Sequence, residues 1–457
     1  MIVSPLVQGL GRFCCVKRGS RAIRSVVIGA LLFYPGLFCS AQTITPTERD
    51  EAQRMLRDVA DDVRQNYYDR NFHGVDWDAK VREAKEKIDK ADSLNRALTA
   101  IGAALDSLND SHTIFLPPPR PYVNDYAFEM QMIGSRCYVT RVRPGSDAET
   151  KGVKPGDEIE TLNGYTPTRE TSERMYYLFW VLRPQPKLYL KLRTAGGDDR
   201  QVEVLPKFTQ HSKVKDLYEM NYFDLSRDYA GQEHRLGVRY ANRDYDLLIV
   251  RLPIFYPFQA DAADSILSKT QGFKAVIFDL RGDPGGVVEM EQSLLGGIFG
   301  HKMKIGDRVE RNKTKLLETE HHHNAFAGKV VVLVDSESAS ASEIFARVVQ
   351  LEKRGIVMGD QTSGMVMEAR QFFHRTEGDK SENYIVYGSE VTIADIVMTD
   401  GQSLEHKGVV PDVVVLPTAS DLASGRDPVL AKAAELVGVT MTPEEAGKLF
   451  PYEWPKE

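Results

Sequence analysis

Three alternating serines, Ser338, Ser340 and Ser342, are the residues best placed to do chemistry, within KVVVLVDSESASASEIFAR at 329–347. A hydroxyl becomes a nucleophile when a base takes its proton and fixed donors hold the oxyanion that follows. The flanking pattern says where these hydroxyls sit. Residues 330–334 are continuously apolar and mostly β-branched, as in a strand buried on both faces of a mostly parallel sheet. Ile344, Phe345, Val348 and Val349 then recur at helical spacing. The serines therefore fall in a tight strand-to-helix turn, facing unpaired N–H groups and the positive end of a helix dipole. The same place also suits a serine that only caps a helix.

Two other stretches could complete such a site. Asn109-Asp110-Ser111-His112-Thr113 closes a helical region just before Leu116-Pro117-Pro118-Pro119, so His112 stands where helix gives way to extended chain. A lone histidine there is equally compatible with a structural or surface role. Residues 275–280 read as a second buried strand and run into Arg281-Gly282-Asp283-Pro284-Gly285-Gly286. Those glycines make a turn whatever else they do. Adjacent histidines at 321–323 lack carboxylate or cysteine neighbours at ligand spacing, and a solvent-exposed loop accounts for them better than a metal site.

Ser-Ala-Ser-Ala-Ser-Glu after a hydrophobic strand resembles the nucleophile segment of the C-terminal processing peptidases and the tricorn core protease, serine peptidases with a crotonase-like, ClpP-type core. The resemblance implies that Ser340 is the nucleophile. It implies His112 as general base, with Ser111 beside it, because Asp-Ser-His-Thr looks like the motif of the tricorn-like branch. Arg281 to Gly286 resembles the family's Asp-Leu-Arg-Asn-Asn-Pro-Gly-Gly loop, which points to Gly285 or Gly286 as one oxyanion donor and the N–H of Ala341 as the second. Glu405, in Gly401-Gln402-Ser403-Leu404-Glu405-His406-Lys407-Gly408, matches the glutamate of tricorn-like members and would orient His112 through Ser111. One departure stands out. The C-terminal processing peptidases carry a lysine base 25 positions after the nucleophile, where this chain has Met365. A thioether takes no proton, so a Ser-Lys dyad is absent at this position. The alternative is a catalytically inactive protein on the same fold that binds peptides or small ligands.

The elements that would position these residues divide the 457-residue chain into parts. Over 1–41, Arg12, Lys17, Arg18, Arg21 and Arg24 precede an apolar run and Cys39-Ser40-Ala41, as in an export signal cleaved after Ala41. Such cleavage would shift the net charge from −7 to near −12, remove three of the four cysteines and leave Cys137 for a core. No stable membrane insertion is expected afterwards. A helical domain is expected over 45–120, opened by the capping box Thr45-Pro46-Thr47-Glu48. Short strands and glycine turns over 125–208 resemble a PDZ domain, which implies protein or peptide substrates recognised in part through their C-termini. Strand–helix alternation over 209–440 argues a βαβ core. The expected class is multidomain α/β: a helical N-terminal domain, a PDZ-like β domain and a crotonase-like core. The negative charge argues against nucleic acid, and neither metal nor nucleotide cofactor is implied.

Overall fold

The computed structural model describes residues 43–120, 122–210, 237–256, 262–320, 325–375 and 386–454. The expected export signal and the histidines at 321–323 lie outside the described residues.

Thr45 caps the helix Pro46–Asn66 in a reciprocal capping box with Glu48. The stripe of Met55, Leu56, Val59 and Val63 is buried against Trp77 and Ile88 of the helix Trp77–Asp89 and Leu98, Ile101 and Leu105 of Leu94–Asp106. Phe115, Tyr387 and Val391 belong to the same apolar cluster. The helices are thus packed onto the long strand Val386–Met398, against which Ile114–Leu116 pairs antiparallel. Lys304–Glu310, Thr314–Glu318 and Met367–Arg375 complete this five-stranded sheet.

The central sheet has six strands in the order Val413–Val414, Ile356–Gly359, Lys329–Val334, Ala275–Asp279, Leu247–Arg251 and Arg239–Arg243. Neighbours run parallel except the last pair. Side chains divide between the two faces with period two. Val250, Val276, Phe278, Val332 and Val334 pack with Leu294, Phe345 and Val349. Ile249, Ile277, Val331 and Leu333 pack with Leu430 and Ala433 of Pro428–Val437. Two covered faces explain why these strands read as unbroken apolar runs.

Residues 128–204 form a separate antiparallel sheet, Phe128–Ile133, Arg136–Val142, Glu158–Leu162, Leu188–Arg193 and Asp199–Val204. Phe128, Cys137, Val139, Ile159, Leu190 and Leu192 form its core, and Cys137 is a free, buried thiol.

Candidate active site

The strand Lys329–Val334 delivers the serines to the C-terminal end of the parallel strands, and hydrogen bonds sort them. Ser338 is fully buried; its Oγ accepts from Asp335 N (2.9 Å) and donates to the carbonyl of Leu280 (2.8 Å). Ser342, equally buried, donates from Oγ to the carbonyl of Asp283 (3.0 Å). Both hydroxyls are spent tying the turn to the loop 280–283. Ser340 alone is partly exposed, with φ +54° and ψ −118°, a conformation disfavoured for a residue with a Cβ. The helix Ala341–Leu351 begins at the next residue. Gly285 lies against this turn at φ +97°; a Cβ there would stand 2.7 Å from Ser340 Cβ and 2.8 Å from Ala341 N. Only glycine fits. Its own N–H donates to Asp283 Oδ1 at 2.7 Å.

On the other side, Asp110 Oδ1 accepts from the backbone N–H groups of His112 (3.0 Å) and Thr113 (2.7 Å) and from Thr392 Oγ1 (2.6 Å). That fixes the turn holding His112. Ser111 Oγ lies 2.7 Å from His112 Nδ1 and donates to Glu405 Oε2 at 2.9 Å, across 294 positions of sequence. Glu405 Oε1 also accepts the N–H of Ser111 (2.8 Å). A carboxylate can only accept, so the single Ser111 proton goes to Glu405 and Ser111 Oγ must accept from Nδ1–H. Nε2 is left with its lone pair.

No hydrogen bond joins Ser340 Oγ to His112 among the described residues. The two are linked instead through the loop 362–366. Ser340 N donates to the carbonyl of Met365 at 2.9 Å, and Val366 N donates to Glu405 Oε2 at 2.9 Å. Ser340 and Glu405 thus bond to adjacent residues of one short segment, and Glu405 carries the link on to Ser111 and His112.

Residues 246–415 match Peptidase family S41, and residues 48–93 match the Tricorn protease C1 domain. The chain is 24% identical over 371 residues to the tail-specific protease of Haemophilus influenzae, covering 79% of this chain and 47% of that one. It is 25% identical over 357 residues to the carboxy-terminal processing protease CtpA of Bacillus subtilis, covering 73% and 68%. The chain therefore spans about half the length of the first relative and two thirds of the second. Among solved structures, mature CPAF superposes with a TM-score of 0.59 at 14% identity, over 82% of this chain and 94% of that one, a likeness of fold.

Burial sets the electrostatics of the site. It pushes the His112 imidazole below its ordinary value, with the charge of Asp110 pulling the other way. Glu405 is raised by burial and lowered by the N–H of Val366, by His406 and by Ser111. Beneath the turn, Arg281 and Arg251 pair with buried Asp279, and Arg281 reaches Asp427 as well (2.7 Å). Their positive charge holds Asp279 well below the usual carboxylate range although burial opposes it. Sequence reading missed three of these supports: Asp110, Asp335 and Glu343. Asp335 Oδ1 gathers the N–H groups of Gly282 (2.9 Å) and Glu337 (3.0 Å). Glu343, the glutamate of Ser-Ala-Ser-Ala-Ser-Glu, accepts the N–H groups of Gly364 (2.8 Å) and Met365 (2.9 Å), partners too remote in sequence to betray its use.

Proposed function

We propose that this chain is a serine peptidase working through a Ser-His site. Ser340 Oγ attacks the scissile carbonyl, His112 Nε2 takes the hydroxyl proton, and the resulting imidazolium returns it to the leaving amine. Ser111 and Glu405 hold the imidazole with Nε2 facing the nucleophile. The observation that carries this reading is the His112–Ser111–Glu405 chain of hydrogen bonds, built from residues far apart in sequence. It supplies a base where Met365 supplies none.

For the oxyanion, the N–H of Ala341 at the helix start is one donor. The N–H of Gly285 is already given to Asp283, which favours Gly286 as the other. The resemblance of residues 125–208 to a PDZ domain in sequence, together with an antiparallel sheet in that region, supports recognition of a peptide chain added as a further strand. The basic and apolar composition of residues 1–41 supports an exported protein.

The test is hydrolysis of an unfolded protein, with fluorophosphonate labelling, by the mature chain, S340A and H112A. Both variants are expected to lose roughly 10³-fold or more in rate, and by similar factors, because a nucleophile and its base act as a unit. Loss in S340A with H112A unaffected would show that another group serves as base. A parent chain that neither hydrolyses nor labels would favour a binding protein on the same fold.

A further inference from the structure

Glu343 is fully buried in the first turn of the helix that follows Ser340. Four donors converge on its carboxylate. Oε2 accepts from Ser340 N (3.1 Å) and Met365 N (2.9 Å). Oε1 accepts from Gly364 N (2.8 Å) and Thr362 Oγ1. The next peptide N–H along, that of Val366, goes to Glu405 instead. Consecutive residues of one loop are therefore held by two carboxylates, one attached to the nucleophile and one to the base. The carbonyl of Gly364 closes the same grip by accepting from His406 N at 2.7 Å. Met365 takes part through its backbone, giving its N–H to Glu343 and accepting from Ser340 N.

We propose that Glu343 is a positioning residue that sets the Ser340-to-His112 register by clamping the loop 362–365 to the nucleophile turn. The inference rests on the peptidase reading above. A carboxylate suits the task because it offers about four lone-pair sites and no proton, matching four donors. Burial outweighs the bonds from Thr362, Gly364, Met365 and Ser340, which pull the other way, and leaves Glu343 raised to about 7, so the clamp is an all-acceptor carboxylate above that pH. Glutamine is the same size, yet its amide nitrogen would face N–H groups that need an acceptor.

The experiment measures fluorophosphonate labelling at Ser340 and peptide hydrolysis for the parent, E343Q, H112A and H112A/E343Q, with thermal unfolding to verify folding. E343Q is expected to lose roughly 10- to 100-fold in labelling rate and kcat with KM little changed, the scale of a misplaced reacting group. In the H112A background the same change is expected to alter residual labelling by less than about 2-fold, since the register to an absent base has no value. Should E343Q not fold, T362V removes one of the four donors and is expected to lose roughly 3- to 10-fold. Labelling of E343Q, or of T362V in its place, at the parent rate overturns the inference, as does an equal loss with and without His112. A parent that never labels removes the peptidase reading and this inference together.

Discussion

At the scale of single residues, the base is the group most exposed to solution conditions. Burial lowers the pKa of His112, so its neutral, proton-accepting form persists below the ordinary 6.5 of imidazole. His112 is therefore expected to contribute a step of the acid limb of kcat/KM below 6.5, distinct from the step near 7 that protonation of Glu343 would add, with activity lost as pH falls through it. Asp110→Asn keeps an oxygen for the N–H groups of His112 and Thr113 but removes the charge that raises His112. The His112 step should then move further to acid. The absence of a step below 6.5, or a shift of that step toward neutrality in the variant, would contradict this account of the imidazole.

Among elements, the strand-to-helix turn is the one with least room. Gly285→Ala would force a Cβ to 2.7 Å from that of Ser340 at a φ of +97°. The expected result is a loss of about 1–3 kcal/mol in stability and of roughly 10²-fold or more in Ser340 labelling, read by thermal unfolding and labelling kinetics. This turn was legible in the sequence because both its flanks carry strong periodicity and its small residues mark a close approach. The helix start at Thr45 was legible for a similar reason: its capping residues are adjacent. The five-stranded sheet around Val386–Met398 was not. Met367–Arg375 pairs with it while only partly buried, and Lys304–Glu310 and Thr314–Glu318 are short and heavily charged, so no clean alternation announces them. The sheet's role in placing His112 comes from Ile114–Leu116 pairing with a strand some 270 positions away, a relation that local pattern cannot express.

On the scale of the whole molecule, the helical layer is tied to that sheet by charge as well as by packing. Asp62, on the first helix, accepts from Ser389 Oγ (2.7 Å) and bonds His374 Nε2 (2.8 Å). The hydrogen bond to Asp62 raises the His374 pKa above 6.5, against the opposing effect of burial. A raised histidine contributes stability that is fully present below the unfolded value of 6.5 and is lost as pH rises through the folded one. The parent is therefore expected to lose more thermal stability than Asp62→Asn when pH is raised from about 6 to about 8. Equal losses would mean that His374 gains nothing from Asp62.

The hydrogen bonds between Ser111 and Glu405 also have a consequence in time. A chain made from its N-terminus presents His112 early, Ser340 later and Glu405 later still. Until the residues around 405 have emerged and closed onto those around 111, the imidazole has no partner to fix its tautomer, and the nucleophile has no base beside it. If Ser340 and His112 act as proposed, cutting power is the last property such a polypeptide acquires. A truncated or half-folded copy would then be harmless to itself and to its neighbours.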